Sequence, residues 1–146
     1  LQIAVNEVAT YTGASQCRFI LYDPQNGTGK IIAEHKPTEL AFQALFSVKD
    51  DAVFKHLKQE MKPLLVDDRE DVPRDCLQKY AHQLGARATL LIPATSQQAL
   101  LGFLTIESHH GIRPFTPANT IFAQTVVDHL TTQIENLNLL VDEQPE

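Results

Sequence analysis

The sequence predicts an α+β fold, a three-layer sandwich with a central antiparallel sheet and long terminal helices. Three observations predict it. Residues 86–93 and 99–106 are apolar runs separated by the polar turn residues Thr95, Ser96, Gln97 and Gln98, the mark of an antiparallel hairpin. A helical pattern over 75–84 ends at Gly85, a residue that tolerates the left-handed backbone at a helix C-terminus, and leads into the first of those strands. Residues 117–141 carry one long helical pattern, capped by Thr116 and opened by Pro117. The whole order is helix, two strands, variable helical region, strand, helix, two strands, long helix. About five strands in that order make one sheet, with the terminal helices on one face and the loop helices on the other.

Leu1, Val5 and Val8 have helical spacing, with no breaker before Gly13, so the chain opens in a helix. Residues 17–22 are rich in strand formers, 23–29 are dense in turn residues and 30–34 resume an extended pattern, which reads as a hairpin with a long loop. The pattern between 37 and 62 is mixed: 40–46 reads as a short helix, and 51–61 as a helix through Val53, Phe54, Leu57 and Met61. Residues 63–66 form a brief strand before an acidic loop over 67–71, whose Asp71 caps the next helix. A polar loop over 107–114, closed by Phe115, precedes the last helix. There Ala123, Val127, Leu130, Ile134, Leu137 and Val141 form a heptad seam. Its first part is expected to pack on the sheet. Beyond Leu130 the helix and tail, 131–146, are expected to protrude and, alongside Leu1, Val5 and Val8, to form a parallel helical dimer.

A chain of 146 residues with 43% apolar content has the size of one domain with a single core. No apolar run approaches membrane-spanning length, and no signal peptide is visible. Eighteen acids against twelve scattered bases give a net charge of −6, which makes nucleic acid a poor partner, and neither nucleic acid nor a membrane is expected as one. Cys17 and Cys76 match neither a disulfide framework nor a zinc cluster, so a reducing, cytoplasmic setting is expected. The chain opens and closes within helical patterns, as expected of a module excised from a longer polypeptide.

Chemistry centres on Cys76. In the first turns of a helix a cysteine gains thiolate character from the helix dipole, and Tyr80 lies one turn on along the same face. The alternative is the ordinary fate of a free cysteine, a small buried hydrophobe, which is also the reading of Cys17. Gly27-Thr-Gly-Lys30 lacks the spacing of a phosphate loop and leads into a strand. Glu107, His109 and His110 lack a further ligand at turn or helical spacing and read as a solvated loop rather than a metal site. Asp67, Asp68, Glu70 and Asp71 read as solvated loop and cap. No serine elbow, zinc-protease helix or dinucleotide fingerprint occurs, so the chain is not expected to be an enzyme.

The segments Leu91-Ile-Pro93, Leu101-Gly-Phe-Leu-Thr-Ile106, Arg113-Pro-Phe115 and Gln133-Ile-Glu-Asn136, in that order, resemble a GAF domain spanning residues 1–146. The chain is most similar to the phytochrome and cyanobacteriochrome branch, whose pattern Cys76, Tyr80, Ala86, Ala88, Leu90 and Pro93 match. That resemblance implies a bilin attached at Cys76. Three departures weigh against it: Leu77 replaces a stacking histidine, Val53 replaces a second cysteine in Asp51-Ala-Val-Phe54, and Leu100 and Leu101 stand where a tryptophan is usual. The resemblance thus implies a regulatory, sensory GAF domain of a multidomain signal-transduction protein of the two-component type. Its small-ligand pocket is expected to be bounded by Asp51, Phe54, Cys76, Tyr80 and the sheet, and its partners to be flanking signalling domains and a second copy. Three alternatives stay open: a covalent bilin photosensor, a ligand-free dimerising domain, and a methionine sulfoxide reductase, though the last resembles a site of clustered cysteines and the two here lie on different elements. The motif of the cyclic-nucleotide branch is absent.

Overall fold

The computed structural model describes residues 1–36, 45–67, 88–109 and 115–143, and their side chains except at 45, 46, 67 and 137–143. The strands are β1 Gln16–Asp23, β2 Thr28–Glu34, β3 Leu45–Ser47, β4 Leu64–Asp67, β5 Ala88–Ser96 and β6 Ala99–Ser108. They form one antiparallel sheet in the order β3-β2-β1-β6-β5-β4, so the first hairpin and the last meet along β1 and β6 at its centre. The helices described are α1 Gln2–Thr12, α2 Ala52–Glu60 and α3 Pro117–Glu143.

Side-chain alternation divides the core in two. Leu104 and Ile106 of β6, with Cys17 and Phe19 of β1 and Ile92 of β5, pack against Val5, Val8, Ala123, Val127 and Leu130 of α1 and α3. Phe103, Ile20, Ile31 and Leu91 point the other way, onto Val53, Phe54 and Leu57 of α2. Burial on both faces explains why the central strands read as continuous apolar runs rather than as alternating ones. The layers are the expected ones, terminal helices on one face and a loop helix on the other.

Two hydrogen bonds pin the helical layer to the sheet: Gln2 Nε2 donates to the Glu34 carbonyl at 2.6 Å and Gln124 Nε2 to the Pro93 carbonyl at 3.2 Å. Gly13 ends α1 with φ 69°, its N–H donating to the Ala9 carbonyl. The rings of Tyr11 and Phe122 stack at 4.1 Å between α1 and α3.

Three expectations change. Ser96 pairs with Ala99, so the hairpin turn is the two residues Gln97 and Gln98, at φ 50° and 67°, and Thr95 and Ser96 extend β5 instead. Two consecutive left-handed residues give the turn whose twist matches the strands. The short helix expected over 40–46 is contradicted at its end, where Leu45 and Phe46 belong to β3 and pair with Lys30 and Gly29. The open edge of β2 offers backbone partners that outweigh local helical spacing. The seam also stays with its own domain further than expected: Thr131 and Ile134 are buried, Ile134 in the α1–α3 core, because α1 covers this part of α3. The helix expected over 75–84 lies outside the described residues. No described helix is long and apolar enough to cross a membrane.

Gly102 lies where β6 crosses β1, opposite Leu21, and a Cβ there would come within 2.4 Å of the Ile20 carbonyl oxygen. Backbone cannot swing aside as a side chain can. Gly102→Ala is therefore expected to lower stability to urea by about 2 kcal/mol or more, in the range of overpacked cores. Gly13→Ala, with open space around its Cβ but a positive φ, should lose about 1 kcal/mol. A Gly102→Ala loss no larger than that of Gly13→Ala would contradict this register.

Candidate functional site

The face of the sheet under α2 carries the polar and aromatic groups that chemistry can use. Asp51 caps α2: its carboxylate Oδ1 accepts the Phe54 N–H at 3.0 Å, and its carbonyl accepts the Lys55 N–H at 2.9 Å. The cap fixes the rotation of α2 so that Val53, Phe54 and Leu57 face inward. The Phe54 ring then lies 4.8 Å from Tyr22 on β1 and 5.9 Å from Phe103 on β6, both tilted, an aromatic cluster spanning two strands and the helix. Of the four expected pocket residues, Asp51 and Phe54 thus come together, linked by the cap, with Asp51 buried and serving the helix end. Cys76 and Tyr80 lie outside the described residues.

On the same face, hidden in the strands, is an ion cluster. Arg18 of β1 stands opposite Glu34 of β2 and Thr105 of β6, one step from Glu107. Its Nε donates to Glu34 Oε2 at 2.7 Å, and its Nη1 to Glu107 Oε2. The three side chains are 2%, 0% and 1% exposed. The other Glu107 oxygen lies 3.4 Å from Nε2 of the half-buried His109, whose backbone N–H is held by the Ser15 hydroxyl at 2.9 Å. Glu107 and His109 do share one side of the extended segment. Glu107, however, is a buried member of the sheet rather than part of a solvated loop.

Burial works against the Arg18 charge, but the carboxylates of Glu107 and Glu34 outweigh it and raise the guanidinium pKa. A cation whose pKa is raised by folding contributes stability at every pH below the ordinary guanidinium value, so the cluster holds through the neutral range. Burial pushes the neighbouring Cys17 thiol up as well, Glu107 adding to the effect and Arg18 opposing it. Cys17, fully buried, is an inert core thiol.

Arg18 and Glu34 are the residues that sequence reasoning missed, and Glu107 was read only as part of a loop. The available signal was an Arg near the start of β1 and a Glu at the end of β2, both in strands otherwise rich in apolar residues, but their pairing depends on an irregularity between Phe19 and Ile20 that shifts the β1–β2 register. Among the described residues no three His, Cys, Asp or Glu side chains gather as a metal site would require. A bilin would need a slot between α2 and the sheet. There Val53, Phe54 and Leu57 pack with Ile20, Ile31 and Phe103 in one core, and Arg18 is held by two carboxylates. Cys76, to which a bilin would attach, lies outside the described residues.

Removing one partner of a buried ion cluster leaves uncompensated charge and costs about 3–5 kcal/mol, whereas replacing the whole cluster by apolar groups is often neutral. Arg18→Met is expected to destabilise by that amount in urea unfolding. The triple variant Arg18→Met, Glu34→Leu, Glu107→Leu should recover most of the loss. A loss below about 1 kcal/mol for Arg18→Met alone would mean that the cluster does not hold the strands.

A sequence model described as GAF domain matches residues 1–134, most of the chain. No curated protein matches the chain significantly in sequence. Among solved structures, the GAF domain of an Acinetobacter phosphoenolpyruvate-protein phosphotransferase superposes with a TM-score of 0.79 at 17% identity, over 97% of this chain and 84% of that one. The GAF domain of a two-component sensor histidine kinase from Bacillus halodurans gives 0.76 at 18%, over 96% and 97%. The chromophore-binding domain of a bacteriophytochrome from R. palustris gives 0.76 at 16%, over 95% of this chain, which spans about half, 55%, of that one. At these identities the superpositions show the shared fold, and the sequence match supplies the family: the chain belongs to the GAF domain family.

Proposed function

We propose that the chain is a regulatory, sensory GAF domain of a multidomain signal-transduction protein of the two-component type. It takes a small ligand on the α2 side of its sheet, in a pocket that includes Phe54, Cys76 and Tyr80. It relays the change to flanking signalling domains by pairing its terminal helices with those of a second copy. Its work is binding rather than catalysis. The histidine kinase neighbour from Bacillus halodurans, itself a GAF domain of this size, supports the context.

The observation that carries the reading is the outer surface of the terminal helices. Ile3 is 76% exposed, Ile121 68%, Tyr11 54% and Leu1 41%. Two grooves of about 520 and 510 Å³ run along this surface and share Ile3 and Glu7. Apolar side chains clustered at such exposure are what a partner helix covers. This surface takes over the role expected of the heptad seam, since Leu130 and Ile134 are occupied in the domain's own core.

Burying an isoleucine contributes about 1.5–3 kcal/mol, so Ile3→Asp with Ile121→Asp should raise the dissociation constant of the dimer by about tenfold or more. The circular dichroism spectrum should not change, because neither residue is in the core. Sedimentation velocity over the micromolar range measures it. A wild-type protein that stays monomeric, or a double variant that sediments like the wild type, would overturn the relay by pairing.

A further inference from the structure

The tip of the β1–β2 hairpin and the outer side of α2 enclose a pocket of about 410 Å³, separate from the terminal helices. Its lining includes Lys49, Lys55, Lys58, Tyr22, Gln25 and Asn26. We propose that this pocket binds the phosphate group of a small soluble molecule. In an acidic chain of net charge −6 with only twelve bases, three lysines converge on one concavity. Lys55 and Lys58 stand three apart on α2, so their like charges destabilise the helix until an anion sits between them.

Among the described residues no carboxylate pairs with any of the three. Lys58 Nζ instead donates to the Tyr22 hydroxyl at 3.4 Å and lies 5.5 Å from that ring's centre. The hairpin acid, Asp23, is turned to its own loop: Oδ1 accepts the Gln25 N–H at 3.0 Å and Oδ2 the Asn26 side-chain amide at 2.7 Å. Of the two acids before α2, Asp51 is buried in its cap and the exposed Asp50 is not among the residues lining the pocket. The residues that line the pocket thus bring three ammonium groups and no carboxylate. Ammonium groups and side-chain amides are donors, and a phosphate offers several acceptor oxygens to all of them at once.

The volume lies within the usual span of small-ligand pockets, about 300–1,000 Å³, larger than bare phosphate needs. The rings of Tyr22 and Phe54 form an aromatic wall for the rest of the molecule. Because Phe54 also packs on Phe103, an occupant here touches the same aromatic cluster that underlies the ligand face, but the site stands on the lysines and does not depend on the function proposed above.

The domain, isotopically labelled at low ionic strength, is titrated with inorganic phosphate, phenyl phosphate and phenol while amide resonances are followed. Saturable shifts confined to 22–27 and 49–58 are expected for both phosphates and none for phenol. Tighter binding of phenyl phosphate assigns the ligand as a phosphate ester, and equal binding assigns free phosphate; both results uphold the site. Lys49→Gln, Lys55→Gln, Lys58→Gln, all at exposed positions, should weaken binding by about tenfold or more and leave the remaining spectrum unchanged. Shifts that do not saturate, that persist in the triple variant, or that sodium sulfate reproduces at the same concentration would overturn it.

Discussion

Arg18 is the third residue of β1, with almost none of its surface exposed, and a guanidinium removed from water is tolerable only while Glu34 and Glu107 stay within bonding reach. Those two carboxylates belong to the strands on either side. The requirement therefore fixes β2 and β6 against β1 at one level, where the two hairpins of the chain meet. Hydrophobic burial alone would accept a slipped strand if the apolar residues still alternated correctly, but the ion cluster would not. The register irregularity between Phe19 and Ile20 follows from the same demand, since it brings Glu34 to the side of the sheet that Arg18 occupies.

With that register set, the sheet becomes a partition. One side holds the apolar layer of α1 and α3, and the other holds α2, an aromatic cluster and the buried ions. Binding on the α2 side can reach the terminal helices only through the sheet or around its edges. Gln2, at the start of α1, is bonded to the backbone of Glu34, and Gln124 of α3 to the backbone of Pro93. Displacement of β2 would thus be felt at α1, and displacement of β5 at α3. That is a physical route for the sensory role proposed for this GAF domain.

Much of this was legible in the sequence where local signals and the fold agree. The apolar runs on either side of Gln97 and Gln98, Gly13 after α1, and Pro117 at the head of α3 each mark an element by chemistry that acts within a few residues. What escaped depends on partners distant in sequence. Leu45 and Phe46 look helical until the edge of β2 is there to pair with them. Ile134 looks free until α1 covers it. Gln97 and Gln98 lack the glycine or asparagine that usually announces a left-handed turn. Within the candidate site, the cap that joins Asp51 and Phe54, two of the expected pocket residues, gives Asp51 a structural duty. Arg18, Glu34 and the three lysines beside the hairpin carry meaning only once three strands and a helix are brought together.

Native-state hydrogen exchange tests most directly whether the ion-locked centre is the constraint on which the rest depends. If it is, the β1 and β6 amides from Phe19 to Leu21 and from Phe103 to Thr105 should exchange only through global unfolding. The amides of α2 and of the β1–β2 turn should open at distinctly lower free energy. Exchange of the central β1 and β6 amides by local opening, at free energies equal to or below those of α2, would contradict the account.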